Sequence, residues 1–281
     1  MSDGASSTPW RVKLDRAHFH VDSLQQLIAT VQSTGDLEAL TEVSGDRRAV
    51  RVVLKRDLPL DIPAIIGDIL HNTRSALDCL AFEICKHGAQ RSGRSLSEDQ
   101  ERLVQYPICV DKRIFNNAAQ RRLPLAPQHI VEIIRTTQPF YLAMQGSPSS
   151  ALEIEERVRS DRLWQLKELS NADKHRQLHL VAAVPGEIYA GSSEGLKVAW
   201  QWNESFGRDD DVVGWWILHP TSEDAEFYPH AETCVSLLDH HLSPGPPVEI
   251  VGYINGLVRH VEMAIVWPLE RALLELGELE S

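Results

Sequence analysis

The segment Asp61 to Gly88, DIPAIIGDILHNTRSALDCLAFEICKHG, decides the fold because it carries the strongest helical pattern in the chain. Its apolar residues recur at intervals of three or four and form one broad face, which consists of Ile66, Ile69, Leu70, Leu77, Leu80, Ala81 and Ile84. Pro63 suits the first turn of a helix, and Gly88 is typical of the position after the last turn. The spacing therefore predicts a long amphipathic helix over residues 61–87.

Similar periodicity predicts three further long helices. Residues 15–34 carry apolar side chains at helical spacing and stop at Gly35. Residues 152–175 form a charged helix that ends in cations, which suit a helix C-terminus. Residues 248–276 close the chain as a long helix with an expected kink at Pro268. Shorter helices are predicted for residues 112–122 and 127–136, and a polar surface loop for residues 90–105.

Alternating patterns replace helical ones in the region between the last two long helices. Strands are predicted for residues 178–184, 196–202, 212–219 and 233–237, and an earlier one for residues 48–55. Connections of about ten residues are too short for helical crossovers, so we expect antiparallel pairing. The sequence therefore predicts an α+β fold, in which a helical bundle carries an antiparallel β-sheet packed to one side.

The pattern gives no linker long enough to separate two domains. Residues 1–9 are small and polar and are predicted to form a flexible leader. Residues 10–281 are predicted to form a single α+β domain. Its helical part lies mainly in residues 10–177 and 248–278, and its β part mainly in residues 178–238.

The composition excludes several classes of protein. The chain has 281 residues, of which 43% are hydrophobic and 24% charged, so it is neither collagen-like, nor a coiled coil, nor broadly disordered. Its 28 basic and 40 acidic residues give a formal charge of −12. That charge opposes non-specific binding to DNA or to anionic membranes, although a local basic cluster could still bind an anion. No run approaches the roughly 18 apolar residues that a membrane span needs.

Cofactor motifs are absent from the sequence. Four cysteines form no CxxC pair, which is typical of reduced thiols in a cytoplasmic protein. Neither a P-loop nor a dinucleotide-binding motif is present. We therefore predict no cofactor, no metal and a cytoplasmic location.

The long helix also carries a polar stripe. Asp68, His71, Arg74 and Asp78 follow one another at steps of three or four residues, which places them along one side of the helix. Three interpretations remain open: a solvated face, a buried network of salt bridges between helices, and a working site.

A second polar cluster, NADKHR, occupies residues 171–176. Asp173 and Arg176 share a helix face with apolar leucines, so they would need partners of opposite charge at the edge of the core. We expect Arg74 or Asp78 to lie within salt-bridge reach of Asp173 or Arg176. The alternative is an ordinary helix C-terminus with solvated cations.

Three segments resemble the signature segments of a widespread, uncharacterised bacterial family. They are IGDILHNTRSALD at residues 66–78, QPF at residues 138–140 and LKELSNADKHR at residues 166–176. Ala17-His18 followed by Leu24 is similar to the opening helix of that family. The matches span residues 17–180 and imply no activity by themselves.

In that family the residue after the aspartate of the first segment is usually histidine. An arginine and a histidine separated by four residues resemble the R-x4-6-H motif of HEPN domains, helical bundles that commonly dimerise and in many members act as metal-independent ribonucleases. The resemblance implies that Arg74 stabilises charge on phosphate and that histidine transfers a proton. In this chain Cys79 stands at the histidine position, and a thiol with a pKa of about 8.5 is a poor substitute, so weakened or lost catalysis is expected.

The expected site consists of residues from these segments, with His71 and His175 as stand-ins for the histidine that Cys79 replaces. The catalytic residues would be Arg74, His71, Asp78 and His175, and the binding residues Asn72, Asp173, Lys174 and Arg176. The leading hypothesis is a HEPN-like bacterial protein of defence or RNA processing, with RNA as its partner and a homodimer formed through the 61–88 helix. One alternative is a non-enzymatic binding or scaffold protein, whose polar residues only lock helices together. Another is a metal site built from His71, Asp78, Asp173 and His175.

Overall fold

The computed structural model describes residues 8–35, 37–44, 47–175, 180–183, 189–191, 198–202, 212–218, 228–230, 234–237 and 248–275. The chain divides into two compact units, which comprise residues 1–21, 65–176 and 254–281, and residues 22–64 and 177–253. The sequence predicts that residues 10–281 form a single domain, which means that they unfold together. That stays a prediction. Most of the predicted flexible leader, residues 1–7, lies outside the described residues.

Ten α-helices are described. Their bounds are α1 Pro9–Ser33, α2 Asp61–Arg91, α3 Glu98–Leu103, α4 Lys112–Arg122, α5 Gln128–Thr136, α6 Pro139–Ala143, α7 Ala151–Ser160, α8 Arg162–His175, α9 Ile250–His260 and α10 Trp267–Glu275. The apolar face predicted for α2 is confirmed, because all seven of its residues are at most 1% exposed. Helix α3 begins inside the predicted polar loop, where Ser97 and Gln100 form a capping box. None of the described helices combines the length and hydropathy that a bilayer-spanning segment needs.

Helix α2 continues through Gly88 to Arg91, so the predicted end is wrong. The glycine serves a close approach between two parts of the backbone. A Cβ at Gly88 would lie 1.9 Å from the main-chain oxygen of Leu125, and Leu125 itself has a φ of 63°. The absence of a side chain at position 88 therefore lets the segment after α4 cross α2.

The helix predicted for residues 152–175 is two helices. The backbone is extended at Asp161, between α7 and α8. The Asp161 carboxylate accepts hydrogen bonds from the main-chain N–H groups of Leu163 and Trp164, at 2.9 and 3.0 Å. These are N-cap contacts, which begin a new helix and explain the break.

The last long helix is also interrupted, although its sequence reads as continuous. It begins at Ile250, where Glu249 caps it by accepting hydrogen bonds from the N–H groups of Val251 and Gly252. A π-helical turn, Val261–Val266, separates α9 from α10. Pro268 lies just after this turn, and a proline in an α-helix would clash with the carbonyl group four residues earlier. The wider π turn accommodates the proline, so the expected distortion lies before Pro268.

The predicted fold class, a bundle with one antiparallel sheet packed to one side, is wrong. Of the residues whose side chains are described, 76% are helical, and they include a single short strand. The described backbone contains nine strands, β1 Leu37–Ser44, β2 Arg47–Leu54, β3 Leu180–Ala183, β4 Tyr189–Gly191, β5 Val198–Trp202, β6 Val212–Leu218, β7 Tyr228–His230, β8 Cys234–Leu237 and β9 Val248–Glu249.

These strands form three separate small arrays. Their orders are β1-β2-β6-β5, β3-β8-β9 and β4-β7, and all adjacent pairs run antiparallel. Strand β1 was not predicted, since its sequence LEALTEVS lacks a run of β-branched residues. Alternation identified individual extended segments, but it did not specify which segments pair.

Candidate functional site

Arg74 and Asp78 on α2 together hold the main chain of Tyr106. The guanidinium of Arg74 donates to the carbonyl oxygen of Tyr106 at 2.5 Å, and the carboxylate of Asp78 accepts from the N–H of Tyr106 at 2.9 Å. Arg74 and Asp78 also form an ion pair at 3.1 Å. We name this arrangement the Tyr106 clamp. Both backbone polar groups of Tyr106 are therefore satisfied by side chains from a helix 28 to 32 positions earlier.

The clamp lies at the edge of the core. Only 14% of the Arg74 side chain and 31% of the Asp78 side chain are exposed. Burial lowers the pKa of Arg74, Asp78 opposes that effect, and the nearby charge of Arg122 lowers the pKa further. Burial raises the pKa of Asp78, and the charge of Arg74 opposes it. Each member of the pair thus offsets part of the cost of burying the other.

Further hydrogen bonds fix the same segment from its other side. The buried Tyr106 hydroxyl lies 2.6 Å from the Thr137 hydroxyl oxygen. Gln138 is fully buried, and its side-chain oxygen accepts from the N–H of Cys109 at 2.9 Å, while its amide nitrogen donates to the Ile134 carbonyl at 3.1 Å. The Gln138-Pro139-Phe140 segment therefore has a structural role in holding residues 106–109.

The remaining predicted site residues on α2 do not converge on Arg74. His71 is exposed, and its Nε2 atom lies 3.5 Å from the Ser75 hydroxyl oxygen. Asn72 is buried and donates to the main-chain oxygen of Asp68 at 2.8 Å. Both contacts are made within one turn of the helix itself.

Asp173 does not meet the Tyr106 clamp either. It is exposed and lies over Gly67, since a Cβ at Gly67 would be 2.8 Å from its Oδ1 atom. Among the described residues, neither Arg74 nor Asp78 forms an ion pair with Asp173. Gly67 precedes Arg74 by about two helical turns, which accounts for the separation. Arg176 and the side chain of His175, which are two of the predicted site residues, lie outside the described residues.

Lys174 and Arg74 are nevertheless brought to one cavity. A cavity of about 190 Å³ is lined by both side chains and by Arg122 of α4 and Lys167 of α8. A larger cavity of about 550 Å³ adjoins it and shares Gln105 and Arg122 with it. We name the two cavities together the basic groove.

The lining of the basic groove is strongly cationic. Among its described residues there is one carboxylate, Asp78, against six cations, Arg74, Arg102, Arg121, Arg122, Lys167 and Lys174. This excess is local, because the whole chain carries a formal charge of −12. A concave surface lined by one sign of charge focuses the field and attracts ions of the other sign.

Three of these cations form no ion pair in the part of the chain that the structure describes. Arg121, Arg122 and Lys174 form no ion pair there within 4.0 Å. Arg102 pairs with Glu98 at 3.5 Å, and Lys167 with Glu168 at 3.3 Å. Ion pairs this exposed are weak and exchange readily with solvent or with another anion.

Four groove cations were missed in the sequence. Arg102 falls in the predicted polar loop, and Arg121, Arg122 and Lys167 lie on predicted helices without a predicted role of their own. The adjacent arginines at the end of α4 were the one available signal. That signal is weak, because arginines are common at helix C-termini without any ligand. Only the packing of α2, α3, α4 and α8 brings these side chains to one groove.

Cys79 does not face the same surroundings as Arg74. Burial raises the pKa of its thiol, and the charges that act on it are Lys13, Asp78 and Glu83. Asp78 acts on Arg74 as well, whereas the charge of Arg122 shifts the pKa of only Arg74 of the two. Five positions along an α-helix correspond to a rotation of about 140°, which is also the step between arginine and histidine in an R-x4-H motif.

Metal binding has no support in the described ranges. There, no group of three His, Cys, Asp or Glu side chains is placed to hold a metal ion. The alternative metal site of His71, Asp78 and Asp173 is thus not assembled from these residues.

Comparison with family models, with curated proteins and with solved structures gives no match for this chain.

Proposed function

We propose that this chain binds single-stranded RNA through the basic groove and does not cleave it. The observation that carries this proposal is the concentration of six cations against one carboxylate in a concave surface of an acidic protein. Phosphate groups recur along RNA at intervals that a row of Lys and Arg side chains can follow, and guanidinium groups also stack on bases. RNA, with its recurring phosphates, thus fits the six cations of the groove better than a single small anion does.

Binding without cleavage follows from how the predicted catalytic residues are used. The guanidinium of Arg74 already donates to the Tyr106 carbonyl and pairs with Asp78. Burial raises the pKa of the Cys79 thiol, which makes it a poor group for proton transfer near neutral pH. A ribonuclease site needs an arginine free to stabilise phosphate and a nearby group for proton transfer. The resemblance to HEPN domains supports an RNA-related role in bacterial defence or RNA processing, and a cytoplasmic location belongs to the same proposal.

A pair of double variants on α4 tests the binding. Arg121→Glu/Arg122→Glu reverses two charges in the groove, while Lys112→Glu/Arg113→Glu reverses two exposed charges on the same helix outside it. We expect the first variant to weaken binding of a labelled single-stranded RNA, and its salt slope to fall by about 1.4, about 0.7 for each lost phosphate contact. The second variant should bind almost as the parent does. Equal binding by both variants would refute the groove as the RNA site.

The second candidate is a metal-independent ribonuclease of the HEPN type, which the signature segments favour. Cys79→His restores the histidine of the motif and distinguishes the two functions. We expect no RNA cleavage by this variant, because the guanidinium of Arg74 stays engaged with the Tyr106 carbonyl and with Asp78. Cleavage that appears in the folded variant and survives EDTA would favour the ribonuclease.

A dimer through α2 stays a prediction. The exposed positions in the first turns of this helix are Asp61, Ala64, Asp68 and His71, and all of them except Ala64 are charged or polar. Interfaces between stable partners usually have an apolar centre. Sedimentation of the purified chain at micromolar concentration decides between monomer and dimer.

A further inference from the structure

The two cavities of the basic groove differ in size and in chemistry. Among its described lining residues the smaller cavity, about 190 Å³, carries four cations and no carboxylate. The larger cavity, about 550 Å³, is faced by Asp78 and by apolar side chains, among them Leu103 and Ile114. These two apolar side chains are 48% and 53% exposed. The groove therefore has a small, strongly positive end and a larger, mixed end.

The cations of the smaller cavity repel one another. The charge of Arg122 lowers the pKa of Arg74, which shows that the two guanidinium groups lie within electrostatic reach. The charges of Arg122, Lys167 and Arg74 all act on the buried thiol of Cys109, so they gather around one point of the fold. An anion seated among these cations would relieve the repulsion.

The amount of charge favours one kind of phosphate over another. A phosphodiester inside an RNA strand carries one negative charge, whereas a phosphate monoester at neutral pH carries about 1.5 to 2 and offers three terminal oxygens. Building on the proposed RNA binding, the geometry points to recognition of a strand end: the smaller cavity binds a terminal phosphate monoester, and the larger cavity holds the adjacent nucleoside.

The larger cavity suits a base and its sugar. Its volume is about 550 Å³ against about 190 Å³ for the neighbouring cavity, and its lining combines arginine side chains with exposed apolar ones. Arginine planes stack on bases, and apolar side chains cover their faces without selecting a sequence. Gln105 lines both cavities, so its amide lies where the phosphate and the nucleoside would meet.

Three RNA oligonucleotides of one sequence test this assignment. One carries a 5′-phosphate, one a 3′-phosphate, and one has hydroxyl groups at both ends. We expect one phosphorylated form to bind at least about tenfold more tightly than the hydroxyl form, the ratio that one added charge-assisted hydrogen bond gives. The form that gains affinity identifies the end of the strand that enters the smaller cavity.

Matched variants locate the effect. Lys167→Gln/Lys174→Gln removes two charges from the smaller cavity and should abolish the preference for the phosphorylated form. Arg121→Gln in the larger cavity should weaken binding of all three oligonucleotides by a similar factor. Equal binding of the three forms by the parent protein, with sensitivity to Arg121→Gln retained, would overturn end recognition and leave RNA binding intact. Failure of all three to bind would overturn both.

Discussion

Arg74 donates a hydrogen bond of 2.5 Å to the main-chain oxygen of Tyr106, which lies 32 positions further along the chain. This contact ties a buried part of α2 to the segment that carries Gln105, which is one of the two residues shared by both cavities of the basic groove. Arg74, the arginine of the signature segment, therefore helps to hold in place a segment that lines the groove. Its positive charge still contributes to the field inside the smaller cavity.

Truncation of Arg74 should destabilise the fold. Arg74→Ala leaves the Tyr106 carbonyl and the Asp78 carboxylate without their partner at a partly buried position. We expect a loss of about 2 to 3 kcal/mol in the free energy of unfolding, because hydrogen bonds to charged groups are costly to break when the remaining partner stays buried. Urea denaturation followed by circular dichroism measures this loss.

Lys86→Ala is the matched control on the same helix. Lys86 pairs with Glu83 at 3.4 Å, and about half of the lysine side chain is exposed. Such a pair contributes little, so the midpoint of unfolding should hardly move. Equal destabilisation by the two variants would show that the Tyr106 clamp adds nothing beyond an ordinary surface ion pair.

The buried face of α2 could be predicted because it depends on local spacing alone. Residues such as Ile66 and Leu77 recur with the period of the helix, and the structure buries them completely. The bounds of α4 also follow from the sequence, since Asp111 caps its first turn. The end of α2 could not be predicted, because Gly88 is required by a carbonyl group 37 positions away.

The Tyr106 clamp and the basic groove could not be predicted in the same way. Opposite charges on two helices suggested a partnership between Arg74 and Asp173, but the actual acceptor is a main-chain oxygen, which every residue carries. The pairing order of the strands could not be predicted for the same reason, because it depends on contacts between distant segments. Periodicity shows which face of a helix or strand is buried, but it does not show which other segment packs against that face.

Two glycines of α2 should respond to alanine in opposite ways. A Cβ at Gly88 would lie 1.9 Å from the main-chain oxygen of Leu125, which cannot move without shifting the segment between α4 and α5. We expect Gly88→Ala to lower the free energy of unfolding by about 3 kcal/mol, at the upper end of the usual cost of overpacking. Differential scanning calorimetry should show a clear fall in the Tm.

Gly67→Ala is the comparison within the same helix. The new Cβ would approach only the carboxylate of Asp173, which is exposed and can rotate away. Alanine is favoured over glycine inside a helix by about 1 kcal/mol, so this variant should be as stable as the parent or more stable. A Tm for Gly88→Ala no lower than that for Gly67→Ala would show that Leu125 does not approach α2 as closely as described.

Mild acid should destabilise the protein through His260. This residue is half-buried in the last turn of α9, and burial lowers the pKa of its imidazole below the ordinary value of 6.5, while Asp161 opposes the shift and Arg162 adds to it. The unfolded chain therefore binds a proton at this residue more readily than the folded protein does. The stabilisation is complete above about pH 6.5 and is lost as the pH falls through the lower, folded-state value. We expect the Tm to decrease between pH 7.5 and pH 5.5, and to decrease less in His260→Gln, which cannot take up the proton.

His71→Gln changes an exposed imidazole and should retain the decrease seen in the parent. If the His260→Gln variant lost as much stability as the parent over this range, another group would have to be responsible for the pH dependence.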